Sequence, residues 1–183
     1  MLYNAKEANL NKYVTFICLM LCSAFGWTNQ GELVLSRNIS ISYQQPQVIS
    51  HSGNLLIMRY EDWYFSHEVV DPKAFYKTVD LSGLEHTFIK SIFLDKERKA
   101  LPLWLGELAR EQADIFGVAK KNITIKESKN FSLLGAYQEE AAEGNIFILE
   151  DHQIHYINLS GSHAAYNTIF SAIAERGNET DNR

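Results

Sequence analysis

Two stretches of this 183-residue chain set imidazole beside carboxylate, the pairing used both for proton transfer and for divalent-metal sites. The first is Glu150-Asp151-His152 followed by His155. Imidazole and carboxylate together suit zinc or a similar ion, which would support a metal-assisted hydrolase. The metal candidates are His152, His155 and Asp151. The spacing places His152 in a turn and His155 in the strand that follows. The plainer account is a solvated turn plus a histidine on the strand face of Ile157 and Leu159. The second stretch is Glu61, Asp62, His67 and Glu68 around Trp63-Tyr64-Phe65. Its carboxylates and imidazole suit acid–base work, and aromatics framed by acids suit a partner-binding surface. The competing account is a partly buried strand with polar neighbours, in which alternation sends Trp63 and Phe65 inward. The partner-binding candidates are Glu61, Asp62, Trp63, Tyr64, His67 and Glu68. A third run, Ser160-Gly161-Ser162-His163, holds nucleophile and base types. Adjacent residues at a helix start rarely face each other, and Ser162 fits a helix cap better. No catalytic residue is assigned and no cofactor is expected.

The chain has no Gly-x-Gly-x-x-Gly, Walker loop, His-Glu-x-x-His or Gly-x-Ser-x-Gly, which counts against the common cofactor and hydrolase classes. Its composition is that of a globular protein, 46% hydrophobic and 21% charged. The net charge is −5. An acidic surface without a basic run repels phosphate backbones, so nucleic acid is not an expected partner.

Residues 1–12 are polar and include Lys6 and Lys12, and Tyr13 to Ala24 is an uncharged apolar run. A charged start, a short apolar stretch and small residues at its end are the parts of an export signal. The expected signal peptide is 1–24, with cleavage near 24–26. The apolar run is shorter than the ~20 residues a bilayer span needs. Removing 1–24 takes away Lys6, Lys12 and Glu7, and leaves the remainder at −6. It also takes away both cysteines, Cys18 and Cys22. The remaining domain then has no disulfide, thiol nucleophile or cysteine metal ligand. Leu21 before Cys22 argues against a lipid anchor. The sequons at Asn38, Asn122, Asn130, Asn158 and Asn178 fall mostly in strand-like segments, where they read as ordinary polar positions.

These residues need elements to hold them. Glu32–Tyr43 carries a strand signal, with Ile39, Ile41 and Tyr43 alternating with serines. Asn54–Tyr60 is the next strand, and Asp62–Phe65 extends it or begins another. Asp71-Pro72 opens a short helix through Lys77, Ser82 to Phe93 a second, and Pro102 a third that Gly117 ends. Asp95–Lys99 reads as an exposed charged connector. Then come strands at 122–126, 132–138, 144–149 and 154–159, the last two forming a hairpin. The strand at 132–138 contains Gly135, which marks a close approach or a bulge. A terminal helix follows, with an apolar stripe of Tyr166, Ile169, Phe170 and Ile173. Segregated blocks of strands and helices predict α+β, an antiparallel sheet with helices packed on it. The expected domain is 32–175, with a polar tail at 176–183.

Gly144-Asn-Ile-Phe-Ile-Leu149, Ile154-His-Tyr-Ile-Asn-Leu-Ser-Gly-Ser162 and Tyr166-Asn-Thr-Ile-Phe-Ser-Ala-Ile173 together resemble the end of PsbP-like domains. Ile39-Ser-Ile-Ser-Tyr-Gln-Gln-Pro46 is similar to that family's first strand. The resemblance covers about a third of the chain and implies an α/β/α sandwich around an antiparallel sheet. It also implies a non-catalytic binder or assembly factor. It lies in hydrophobic positions and turns, so no functional residue carries over.

The expected function is therefore that of an exported, periplasmic or secreted, non-catalytic binding or assembly protein. Its partner would be another envelope protein, which it would serve as chaperone, inhibitor, immunity factor or complex subunit. The alternatives are a small-ligand or lipid carrier, and a metal-assisted hydrolase using the His152/His155 region.

Overall fold

The computed structural model describes residues 30–71 and 79–176. The fold lies in the unit that begins at Gly31. The expected signal peptide, the helix expected after Asp71-Pro72 and the tail beyond Arg176 lie outside the described residues.

Ten strands and four helices are described. The strands are β1 (Gln30–Val34), β2 (Ile39–Gln44), β3 (Val48–Ser52), β4 (Leu55–Arg59) and β5 (Tyr64–Val70), then β6 (Ile123–Glu127), β7 (Ser132–Gln138), β8 (Glu143–Leu149), β9 (Ile154–Ser160) and β10 (Ile173–Glu175). The helices are α1 (Glu85–Phe93), α2 (Asp95–Ala100), α3 (Leu103–Ile115) and α4 (His163–Ala172). A seven-stranded antiparallel sheet runs β3-β4-β5-β9-β8-β7-β6, and a three-stranded sheet runs β1-β2-β10. The α+β expectation holds.

The large sheet is buried on both faces because its central strands are apolar on both. In β8, Ile146 and Ile148 point one way and Phe147 and Leu149 the other, as strand alternation requires. On the first face Ile146, Ile148, Ile157, Leu159 and Phe65 meet Ile39 and Ile41 of β2 and Tyr166, Ile169 and Phe170 of α4. On the second, Leu134, Ala136, Phe147 and Ile154 meet Phe88 and Ile92 of α1 and Leu105, Ala109 and Ala113 of α3. Each Ile, Leu or Phe among them contributes about 1.5–3 kcal/mol when fully buried, so the two cores fix helices on opposite faces of one sheet.

Four local expectations change. The first strand signal splits into β1 and β2. Ser36-Arg37-Asn38 turns the chain between them, and the Asn38 N–H donates to Ser36 Oγ at 3.0 Å. β3 follows Pro46 as an edge strand that the pattern did not announce, because all five of its residues are exposed. The charged connector at 95–99 is helical. Arg98 of α2 donates to the carbonyls of Ser91 (2.9 Å) and Ile92 (2.6 Å), satisfying the open end of α1. The terminal helix ends at Ala172. Ile173 remains buried but starts β10, paired antiparallel with Ile41 of β2.

Candidate functional site

The two imidazole–carboxylate stretches meet inside the fold. β5 and β9 are neighbours, with His67 opposite Ile157 and Val69 opposite His155. The two histidines therefore sit diagonally on one face, the face of the Ile157 and Leu159 core. His67 Nε2 lies 3.1 Å from His155 Nδ1. The rings are near parallel, 26° apart in plane with centroids 5.3 Å apart. His155 Nε2 lies 3.1 Å from Oε2 of Glu150, which stands just past the end of β8. Glu150 Oε1 accepts from Ser36 Oγ at 2.9 Å and from Asn38 Nδ2 at 3.2 Å. The result is a chain of hydrogen bonds from the middle of the large sheet to the β1–β2 turn. His67, His155 and Glu150 are all buried.

An ionised Glu150 accepts only, so His155 carries its hydrogen on Nε2 and presents Nδ1 as an acceptor. His67 then donates from Nε2. Burial, together with the neighbouring His155, pushes the His67 pKa down from 6.5 to about 4. The arrangement is a linear relay, and its members do not converge on a common point. Among the described residues no group of three or more His, Cys, Asp or Glu side chains is placed to hold a metal. Asp151 and His152 are exposed in the β8–β9 turn and line a cleft of about 650 Å³ with Asp71, Glu85 and His86. His155 has both ring nitrogens engaged inside, so the structure separates it from His152.

The segment Glu61–Glu68 divides by the pleat. Glu61 and Asp62 are exposed in the β4–β5 turn, which the Tyr60 N–H closes onto the Trp63 carbonyl at 2.8 Å. Trp63 is half-buried and stacks on Tyr60, with centroids 3.9 Å apart and planes 7° apart. Phe65 is in the core, Tyr64 stays 41% exposed, and Glu68 is half-buried. Of the six partner-binding candidates, Glu61, Asp62 and Tyr64 present a surface, and His67 is interior. Trp63 and Asp62 also line a cleft of about 420 Å³ beside the start of α4.

Ser162 caps α4, accepting from the Ala165 N–H at 3.2 Å. His163 instead pairs through Nδ1 with Glu139 Oε1 at 2.6 Å and stacks on Tyr137. The Ser–His arrangement imagined from sequence is not formed.

One surface went unread in the sequence. On α3, Leu103 is 83% exposed, Trp104 57% and Ile115 70%. Trp104, the half-buried Leu108 and Ile115 follow one another at spacings of four and seven along the helix. The signal was present, since three consecutive apolar residues, Leu103-Trp104-Leu105, cannot all face inward at a helix start. No family model matches the chain, and comparison with curated proteins and with solved structures returns no match.

Proposed function

We propose that the chain is an exported, non-catalytic binding or assembly protein of the cell envelope, and that it docks its partner protein through the outer face of α3. The observation that carries this reading is the apolar exposure at Leu103, Trp104 and Ile115. The same helix reaches the core with Leu105, Ala109 and Ala113, while Leu103, Trp104 and Ile115 stay largely exposed. Tryptophan supplies large contact area at small entropic cost and is enriched among residues that dominate binding. The resemblance to PsbP-like domains points to the same class of function.

The test starts with capture from an envelope extract, using the chain purified from its native host as bait and mass spectrometry to name the partner. The purified partner is then titrated against wild type, Trp104→Ala/Leu103→Ser, and Glu61→Lys/Glu68→Lys. The expected result is a loss of at least about tenfold in affinity for the α3 variant, the scale of one hot-spot residue. Equal affinity for wild type and the α3 variant would overturn the assignment to α3. A loss confined to the Glu61/Glu68 variant would move the interface to the β4–β5 turn. N-terminal sequencing of the native protein is expected to begin between residues 25 and 27. An intact Met1 in a cytoplasmic fraction would remove the export claim.

A further inference from the structure

We infer that β3 pairs edge to edge with β3 of a second copy of this chain, across a two-fold axis at Ser50, and so joins two seven-stranded sheets into one. β3 ends the large sheet, and all five of its residues are exposed. Its other side is engaged with β4, from Val48 opposite Arg59 to Ser52 opposite Leu55. Only Gly53 and Asn54 lie between Ser52 and Leu55, so that pair exchanges the hydrogen bonds that close the hairpin. Antiparallel alternation then turns the main-chain groups of Ser50 and Val48 toward β4, and those of Ile49 and His51 outward. The Gln47 N–H also turns inward, onto the Arg59 carbonyl at 2.8 Å, and Pro46 has no N–H. The open edge is therefore short. It consists of the N–H and carbonyl groups of Ile49 and His51, placed evenly about Ser50.

Sheet proteins guard such an edge with charge, proline or a covering segment. The opposite edge of this sheet is guarded by charge and by cover. β6 carries Lys126 and Glu127 and is flanked by Lys121 and Lys129. Lys126 donates to the Ile173 carbonyl at 3.0 Å, and Glu175 accepts from the Lys129 and Asn130 N–H groups just past the strand. β3 has neither guard. Val48-Ile49-Ser50-His51-Ser52 holds no acid, lysine, arginine or proline, and its apolar Val48 and Ile49 are 52% and 54% exposed. Pairing β3 with β6 of the next copy would set this uncharged strand against lysine and glutamate, and would extend without closing. Pairing β3 with β3 closes in one step. Centred at Ser50, it sets Ile49 opposite the partner's His51 and Val48 opposite the partner's Ser52. The outward groups of Ile49 then meet those of the partner's His51, and the reverse, so four main-chain hydrogen bonds form and no lysine, arginine or acid meets its own image. Arg59, opposite Val48 on β4, stands one strand back from the seam. The pairing uses no residue of α3.

An edge of five residues a side makes an interface of the small, reversible class. The experiment is sedimentation equilibrium with amide hydrogen exchange on the protein purified from its native host, from about 10 μM to about 1 mM, the range over which such an interface fills. Salt is held at about 0.15 M, which screens the net charge of −5. Wild type is expected to pass from monomer to dimer. Protection of the Ile49 and His51 amides is expected to rise with it by at least about threefold, while the β6 amides hold. In Ile49→Lys/His51→Lys two amines face each other at each end of the seam, and the chain is expected to stay monomeric. In Ile49→Lys/His51→Glu an amine faces a carboxylate at each end, and the dimer is expected to return. A monomer at every concentration, growth beyond the dimer, a dimer with unchanged Ile49 and His51 amides, or equal association of the two double variants would each overturn the pairing. Loss of the dimer in Trp104→Ala/Leu103→Ser would place the contact on α3 and overturn it too. If either β3 variant fails to fold, the wild-type exchange profile decides.

Discussion

Tyr166 of α4 lies flat against Gly135 and Gly144, on adjacent strands of the large sheet. A Cβ built on either glycine would fall closer to the Tyr166 ring or hydroxyl than the 3.0 Å that real Cβ atoms keep. Both glycines have ordinary extended backbone, so they are required for space and not for conformation. Gly135→Ala is expected to cost about 1–3 kcal/mol by overpacking, read by urea denaturation. The cost should shrink in a Tyr166→Phe background, because the hydroxyl is the nearest atom over Gly135. An equal cost in both backgrounds would place the limiting clash on Phe170, whose Cε2 would lie 2.9 Å from the added Cβ, and not on the tyrosine hydroxyl.

Phe170 carries the same contact one helical turn on. It packs beside Tyr166 with ring centroids 5.9 Å apart and belongs to the core under α4. Phe170→Ala is expected to lower stability by about 3–5 kcal/mol, the range for deleting a buried aromatic side chain. An unchanged thermal melt would mean that α4 is not docked.

What the sequence made legible follows from local physics. Alternation announced β2 and β6, the apolar runs either side of Glu150–Gln153 announced the β8–β9 hairpin, and the Ser162 cap announced α4. β3 escaped because its Val48 and Ile49 are both exposed at a sheet edge and make no alternating pattern. Helix α2 escaped because its structure is held from outside, by Arg98 on the carbonyls of α1. The relay was half legible. His67 and His155 were each singled out, but in different roles. Their meeting depends on β5 lying beside β9, a pairing between residues 88 positions apart that no local pattern encodes. Ser36 and Asn38 were read as strand positions, so the acceptors and donors of the turn could not be assigned. The α3 surface is hard to read because helical periodicity marks the inward stripe and does not say whether Leu103, Trp104 and Ile115 outside it are covered.

The outer face of α3 yields a prediction about stability as well as binding. Trp104→Ala and Ile115→Ser are each expected to change unfolding free energy by less than about 0.5 kcal/mol, the range for surface positions away from special contacts. Paired thermal melts of these variants and of Leu105→Ala provide the check. Leu105 is buried, and its truncation is expected to cost about 2–5 kcal/mol. A loss at Trp104 comparable to that at Leu105 would show that the tryptophan is part of the core, and would leave α3 without a free apolar face.

Global stability is expected to fall in mild acid, and His67 sets the sign. Its folded pKa of about 4 lies below the 6.5 of an unperturbed histidine. Between those values the unfolded chain binds a proton that the folded chain resists, so stability rises with pH there. His67 therefore costs nothing above about pH 7, and its destabilising effect grows as pH falls through 6.5 and saturates below about 4. A separation of this size corresponds to at most on the order of 3 kcal/mol, and the residual solvent contact of the ring reduces it. The measurement is urea unfolding at pH 7, 5.5 and 4 for wild type and His67→Gln. Wild type is expected to lose stability over this range by an amount the variant does not share. Carboxylates that titrate near pH 4 act on both proteins alike, so the difference between the two curves isolates the histidine. Parallel curves would show that His67 accepts its proton as readily in the folded protein as in the unfolded chain.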